Sequence, residues 1–502
     1  MGNGRVLVIA ALFGCGDGSA EMIRDSGAGT LPDGAASGDA ASPDGSAGDA
    51  AVLDASIDLD AGLLDGAAPD ATPGGDCPPL GPGDGLTPVW LEGTLSADPQ
   101  NPGSAQVLGA DSAPDCSVVV GGYTRFGPTR FGPGEAIVAI DRWFVARYRA
   151  DGTFDWVADL GPRQLSDFRT LNPHFMPDGT IAVVRATASD RRQRSLTRLS
   201  ADGEALGEPL PLVGLVVQPL ADGGAYVARE YVLERITAAG DVVWSRSIGA
   251  YPRSITELAD GRFLHAGSYD TVGAVLNGGQ PDEQIIDTDN FGSFYALYRP
   301  DGGLEWVRTI DTDGVIVPAG GAGAADDWFA VWLHYPSVGD TVEFTISTGT
   351  GDPIVTQVTG SLVVVRYQSS GELAWYRIGV EGGGSQISLR NESFSVGAAD
   401  GTITMGGVLT GIAAFEGSGG GYVQVSSEPS QAYYLRYSAV GDLLGPVTVS
   451  SDDLPGTSDI GGITTRADGS VVLAGTFTQT FLLAPLSLVG DTGGQAFAAA
   501  VH

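Results

Sequence analysis

WFVARYRADGTFDWVADLG, Trp143 to Gly161, holds a strand, a tight turn and a second strand that opens on Trp156. FVARYRA alternates apolar and polar side chains, the pattern of a strand with one buried face. Asp151-Gly152 then supplies a turn, since Gly accepts positive φ and Asp bonds its own backbone. The same unit returns along the chain. Asp151, Ala239, Asp301 and Ser370 begin DGTFDWVADLG, AGDVVWSRSIG, DGGLEWVRTI and SGELAWYRIG, which place Trp156, Trp244, Trp306 and Trp375 at one offset from the turn glycine. Weaker copies start at Asp202 and Val440, and SLTRLSA, YVLERITA, FYALYRP, LVVVRYQ and YYLRYSA are the matching preceding strands.

A second turn signal runs in register with the first. It reads PDGTIAVV from Pro177, ADGGAYVA from Ala221, ADGRFLHAG from Ala259, ADGTITMGG from Ala399 and ADGSVVLAG from Ala467, with degenerate copies from Pro114 and Ala325. Each unit therefore has four strands, and four antiparallel strands in radial repetition make a propeller blade. Second-strand signals near Cys116, Thr180, Gly224, Arg262, Trp328, Thr402 and Ser470 predict an all-β, seven-bladed β-propeller. The ends of the domain agree. The last unit stops at QAFAAAVH and lacks a Trp strand, while GDGLTPVWLEGTLS from Gly83 carries Trp90 after a turn. An N-terminal strand that completes the last blade closes the ring and removes open sheet edges.

Composition fits this reading. Hydrophobic residues are 43% of 502, with 76 Gly and 29 Pro, as in a chain of short strands and many turns. The net charge of -35 argues against nucleic-acid partners. All the basic side chains are Arg, which fits a GC-rich coding bias. With 3 Cys and 4 His the fold does not rest on zinc clusters or a disulfide scaffold.

Ahead of the repeats, Arg5 precedes the apolar run Val6 to Phe13, too short to span a bilayer and suited to a signal-peptide core. Leu12-Phe13-Gly14-Cys15 resembles a bacterial lipobox. That resemblance implies a diacylglyceryl group on Cys15, cleavage before it, and an anchor of two or three chains. The plainer alternative is a short apolar tail with a chance cysteine. From Gly16 the chain is Asp, Ala, Gly, Ser and Pro, without an aromatic residue as far as Gly85. Such a segment buries too little apolar surface to fold, and its charges keep it extended, with a reach of roughly 45 Å. The expected organisation is signal peptide and lipobox 1–15, disordered tether 16–85 and propeller 86–502.

The unit, best copied in Val118 to Gly161, resembles the beta-propeller repeats found in tandem in bacterial secreted and surface lipoproteins. That resemblance covers about Leu86 to His502 and implies a fold more than a function. The Trp after Asp-Gly is also superficially similar to quinoprotein propellers, where Trp docks blades together. It implies blade packing for Trp90, Trp156, Trp244, Trp306 and Trp375, and no cofactor constellation accompanies it.

Five units carry long excursions between second and third strands: 125–142, 271–292, 337–360, 409–431 and 479–494. They predict extra hairpins on one face, as rim decoration or as a recognition surface. Units two and three lack them and leave a gap in that rim. Cys77 and Cys116 either pair in an oxidising envelope, pinning the closing strand, or stay free thiols.

The chain carries no H-E-x-x-H, no G-x-S-x-G and no phosphate-cradling loop in context. His174, His265, His334 and His502 are scattered, and His265 and His334 read as packed rings. Asp287-Thr288-Asp289-Asn290 reads as an exposed acidic turn or a calcium loop. No catalytic residue, metal site or cofactor is expected. The leading expectation is a monomeric, outer-membrane or cell-surface lipoprotein whose propeller binds a protein or glycan on its rim hairpins. The alternatives are an envelope hydrolase or lyase with a channel site around His174, resting on fold analogy alone, and a plain spacer.

Overall fold

The computed structural model describes Cys77, 88–96 and 103–501, apart from 133–135, 164–169, 188–191, 259, 313–318, 326–327, 335–340, 360–361, 382–385, 397–400, 449–456, 479, 484–485 and 490–493. Cys15 and the tether lie outside the described residues, as does His502. No helix occurs among the described residues; the elements are all strands.

The fold is a β-propeller of antiparallel, four-stranded blades. Repeat one is Ser104–Ser112, Val118–Arg125, Arg142–Tyr148 and Phe154–Pro162, from inner to outer strand. Repeat two is Leu171–Phe175, Ile181–Ala186, Gln193–Leu199 and Leu210–Val213. Repeat three is Val216–Pro219, Ala225–Ala228, Val232–Ile236 and Val242–Ser247. Repeat four is Tyr251–Glu257, Phe263–Tyr269, Phe291–Tyr298 and Leu304–Thr312. In the last sheet Pro88–Gly93 pairs with Gln495–Val501, Trp90 opposite Ala500, so the strand from the N-terminal side joins strands Val471–Phe477 and Ser458–Thr465.

Hydrogen bonding corrects the count of seven separate blades to six. Repeat five (Ala319–Ala325, Trp328–His334, Leu362–Gln368, Leu373–Glu381) and repeat six (Gln386–Val396, Ile403–Glu416, Tyr422–Tyr437, Leu443–Thr448) belong to one eight-stranded sheet. The excursion of repeat six prolongs its second and third strands to 14 and 16 residues, and their far end reaches the outer strand of repeat five, Gly379 opposite Phe415. The physical reason is the open edge: an outer strand presents unpaired N–H and C=O groups that a neighbouring hairpin can satisfy.

Excursions elsewhere do the same. Thr341–Ile346, with its partner Ile354–Thr359, adds to the outer strand of repeat four through Ile310, Asp311 and Thr312. Leu95–Ser96, continuing the closing strand, pairs with Thr129–Phe131 of the repeat-one excursion. The Ala274–Leu276 and Gln284–Ile286 hairpin is tied to repeat three by Asn277 N–H donating to Ser247 O at 2.8 Å. The core lies between blades: Leu108, Val119 and Val145 of repeat one pack with Leu171, Ile181 and Val183 of repeat two.

Candidate functional site

Three places in the fold gather chemistry. The first is the docking of one blade on the next. Trp156, Trp244, Trp306 and Trp375 donate from Nε1 to the carbonyls of Ala201, Pro300, Ser369 and Ala439, at 2.8, 3.0, 3.0 and 3.0 Å. Each acceptor lies in the turn between the third and fourth strands of the following repeat, the second turn in blade order. Those turns demand glycine twice over: Gly302 and Gly441 have φ of 81° and 82°, and a Cβ on either would lie 3.0 Å from the docked indole of Trp244 or Trp375. Three arginines complete the joint. Arg246, Arg308 and Arg377 stand two residues after Trp, lie 5.5, 5.2 and 5.4 Å over its ring, and donate to backbone carbonyls of the same turn. The sequence signal was Trp-x-Arg in three repeats, readable and missed. For Trp90 only the backbone is described. These groups are engaged in blade joints.

The second place is the end of the inner strands. Asp111 accepts from Phe175 N–H and Ser112 N–H, both at 2.8 Å, which joins repeats one and two. Ser112 Oγ and Thr464 Oγ1, 3.0 Å apart, extend the contact to the last repeat. Enclosure by protein pushes the Asp111 carboxyl up to about 6 against those hydrogen bonds. His174 stands beside Phe175; desolvation lowers its ring to about 4, and Nε2 has no hydrogen-bond partner among the described residues. One acid and one neutral imidazole come to adjacent strands, and the Thr464 hydroxyl bonds the acid, whereas no described hydrogen bond joins a hydroxyl or thiol to the imidazole. His265 is fully buried, edge-on to Phe294 at 5.1 Å, and desolvation lowers it to about 3. His334 lies on a strand whose side chains are outside the described residues.

The third place is the first turn of repeat one. Cys77 and Cys116 are bonded, with Cα atoms 5.3 Å apart. Cys116 has φ 63°, in the turn position that Gly179, Gly223, Gly261, Gly401 and Gly469 fill elsewhere. A left-handed residue with a side chain costs about 1–2 kcal/mol, so this turn gives up conformational ease for a sulfur. Alongside, the fully buried Arg466 donates to Ala150 O at 3.1 Å and lies 3.5 Å from Asp468 Oδ2, linking the last repeat to the first. Asp468 lies within metal-ligand reach of both sulfurs, but the disulfide leaves a single carboxylate there and no thiolate to bind a cation. Asp287 and Asp289 are exposed, in a loop closed by Asn290 N–H on Thr288 Oγ1.

No family model matches the chain, and no curated protein matches it. Among solved structures it is similar to BamB from Moraxella catarrhalis, at 11% identity and TM-score 0.30, over 78% of this chain and 85% of that one. It is also similar to the Pan2 WD40 domain of Neurospora crassa, at 8% identity and TM-score 0.38, over 84% and 97%. A puromycin-hydrolyzing peptidase of Mycobacterium tuberculosis matches at 13% identity and TM-score 0.38, over 78% and 52%.

Proposed function

We propose that this chain is a lipid-anchored protein of the cell envelope that displays its propeller as a non-catalytic interaction scaffold. The observation that carries the scaffold reading is the bracing of the rim. Excursions of repeats one, four, five and six are each bonded to the outer strand, or its continuation, of the preceding repeat. A rim braced in this way presents loops at fixed positions, which is what a recognition surface needs and an unspecific spacer does not. The anchor reading rests on Cys15 and its preceding apolar run, and the tether reading on the acidic segment that follows. The Cys77–Cys116 bridge fastens the chain just ahead of the closing strand, which suits a ring that must stay shut outside the cell.

Two experiments test this. Acyl labelling in cells should be lost in Cys15→Ser; retained labelling overturns the anchor. Crosslinking in the native envelope should capture a saturable partner set at the rim; capture that rises linearly without saturation overturns the scaffold.

The Asp111 and His174 neighbourhood favours one second reading, an envelope enzyme using the inner-strand ends. Purified protein that turns over an ester or glycoside substrate, with activity lost in His174→Ala, would replace the scaffold reading.

A further inference from the structure

We propose that the gap in the rim over repeats two to four is a docking notch for a cationic, apolar segment of another protein; this rests on the scaffold reading and names its surface. Six exposed apolar side chains gather there: Val213, Tyr231, Tyr251, Val272, Val275 and Ile285. Exposed apolar residues scattered singly are ordinary, and these are linked. Tyr231 and Tyr251 have ring centroids 5.9 Å apart and hydroxyls 3.4 Å apart. Glu230, next to Tyr231, pairs with Arg192, whose backbone carbonyl accepts from Gly214, the residue after Val213. On the other side, Gly249 approaches Val275 so closely that a Cβ would lie 2.7 Å from its backbone nitrogen. Val275 stands opposite Ile285 in the hairpin, and Val272 N–H bonds Asp270. The short connection between the second and third strands of repeat three is what leaves Tyr231 uncovered.

The occupant follows from charge and from edges. Two tyrosine faces attract a cation; the hydrogen bond between the two hydroxyls is the main reason the Tyr231 hydroxyl pKa is raised, and Asp270 and the Arg192-paired Glu230 add smaller negative potential there. Asp270 forms no ion pair among the described residues. A second copy or the acidic tether would bring like charge to a chain already at -35. Strand addition is disfavoured on the outer strand of repeat two, where Pro211 stands, and the end of the outer strand of repeat three is already taken by Asn277 N–H on Ser247 O. Side chains must therefore hold the partner: lysine or arginine between the tyrosines, and apolar residues on Val272, Val275 and Ile285.

The test uses the full chain and two labelled synthetic peptides, one alternating leucine with lysine and one alternating leucine with glutamate, followed by fluorescence anisotropy. The lysine peptide should bind saturably, and Tyr231→Ala with Tyr251→Ala should weaken it at least tenfold. Tyr231→Phe with Tyr251→Phe, which keeps the ring faces, should stay within about twofold, as should Val440→Ser on a distant second turn. Equal binding of the glutamate peptide, or an unchanged Kd in the alanine pair, overturns the notch. If envelope crosslinking captures the same partners with wild type and the alanine pair, the notch is wrong and the scaffold stands. If the lysine peptide behaves as expected and no saturable partner is captured, the notch chemistry holds and the scaffold reading falls.

Discussion

At the residue scale, Cys116 is the position where two demands conflict. The turn needs positive φ, which glycine takes without strain, and the bridge to Cys77 needs a sulfur. Separating them is straightforward. Cys116→Ser loses the bridge and keeps the strain, whereas Cys116→Gly loses the bridge and relieves it. Urea denaturation under oxidising conditions should rank wild type first, then Cys116→Gly, then Cys116→Ser. The gap between the variants should be about 1–2 kcal/mol, and the bridge itself worth about 2–4 kcal/mol for a closed loop of this size. The reverse order of the two variants would refute the account.

Buried titrating groups make a second residue-scale prediction. His265 and His174 have folded pKa values of about 3 and 4, below the usual imidazole value, because burial disfavours the charged ring. The unfolded chain then takes up protons first as pH falls. Their stability is complete above about pH 6.5 and declines as pH falls toward the folded values. Asp111 runs the other way, since its folded pKa of about 6 lies above the unfolded one, so the native state gains relative stability as pH falls through 6 toward 4. His265→Phe should flatten the fall of Tm between pH 6.5 and 4, and Asp111→Asn should steepen it. Parallel Tm–pH curves for wild type and both variants would show that other groups govern acid stability.

At the scale of elements, two sets stand apart among the outer strands. Those of repeats three, four and five carry Trp and a bonded neighbour hairpin. Those of repeats two and six have Gly207 and Gly445 at the Trp offset and contain Pro211 and Pro446. Proline cannot donate to a further strand, so it suits an edge left open to water. Amide exchange of Ile310 to Thr312 should be slower than that of Leu210, Leu212 and Val213, and Ile346→Pro in the bridging hairpin should abolish the difference. Trp306→Phe removes the bond to Ser369 O and part of the ring under Arg308 and should cost about 1–2 kcal/mol, while Trp306→Ala empties the joint and should cost about 3–5 kcal/mol, both read by chemical denaturation.

At the scale of the whole molecule, these joints are unequal around the ring. Among the described residues the junction of repeats two and three has neither an indole nor a bridging hairpin; it is held by packing of Met176, Leu212 and Val217 and by Arg192, Arg194 and Arg198, which reach Glu230, Leu215 O and Leu220 O across it. Within the propeller, limited proteolysis in sub-denaturing urea should therefore cut first within 204–215, next to the rim gap, before any cut in the sheet shared by repeats five and six. Early cleavage at 373–381 would contradict this.

The repeat, the two turns and the closing strand were legible in the sequence because they are local. Asp-Gly turns, alternation over five to seven residues and the Trp offset are each set within one unit, and the strand around Trp90 announced itself by matching what QAFAAAVH lacked. The strands Pro88–Gly93 and Gln495–Val501 pair in the structure, in a fold of four-stranded blades. Trp-x-Arg was equally local and went unread. What only the tertiary structure decided was how units meet: the pairing of Glu381 with Ala413 that merges two repeats into one sheet, the hairpins that satisfy a neighbour's edge, and the approach of Tyr231 to Tyr251. Such contacts satisfy backbone groups and bury surface between segments far apart in the chain, and no pattern within a single unit encodes them.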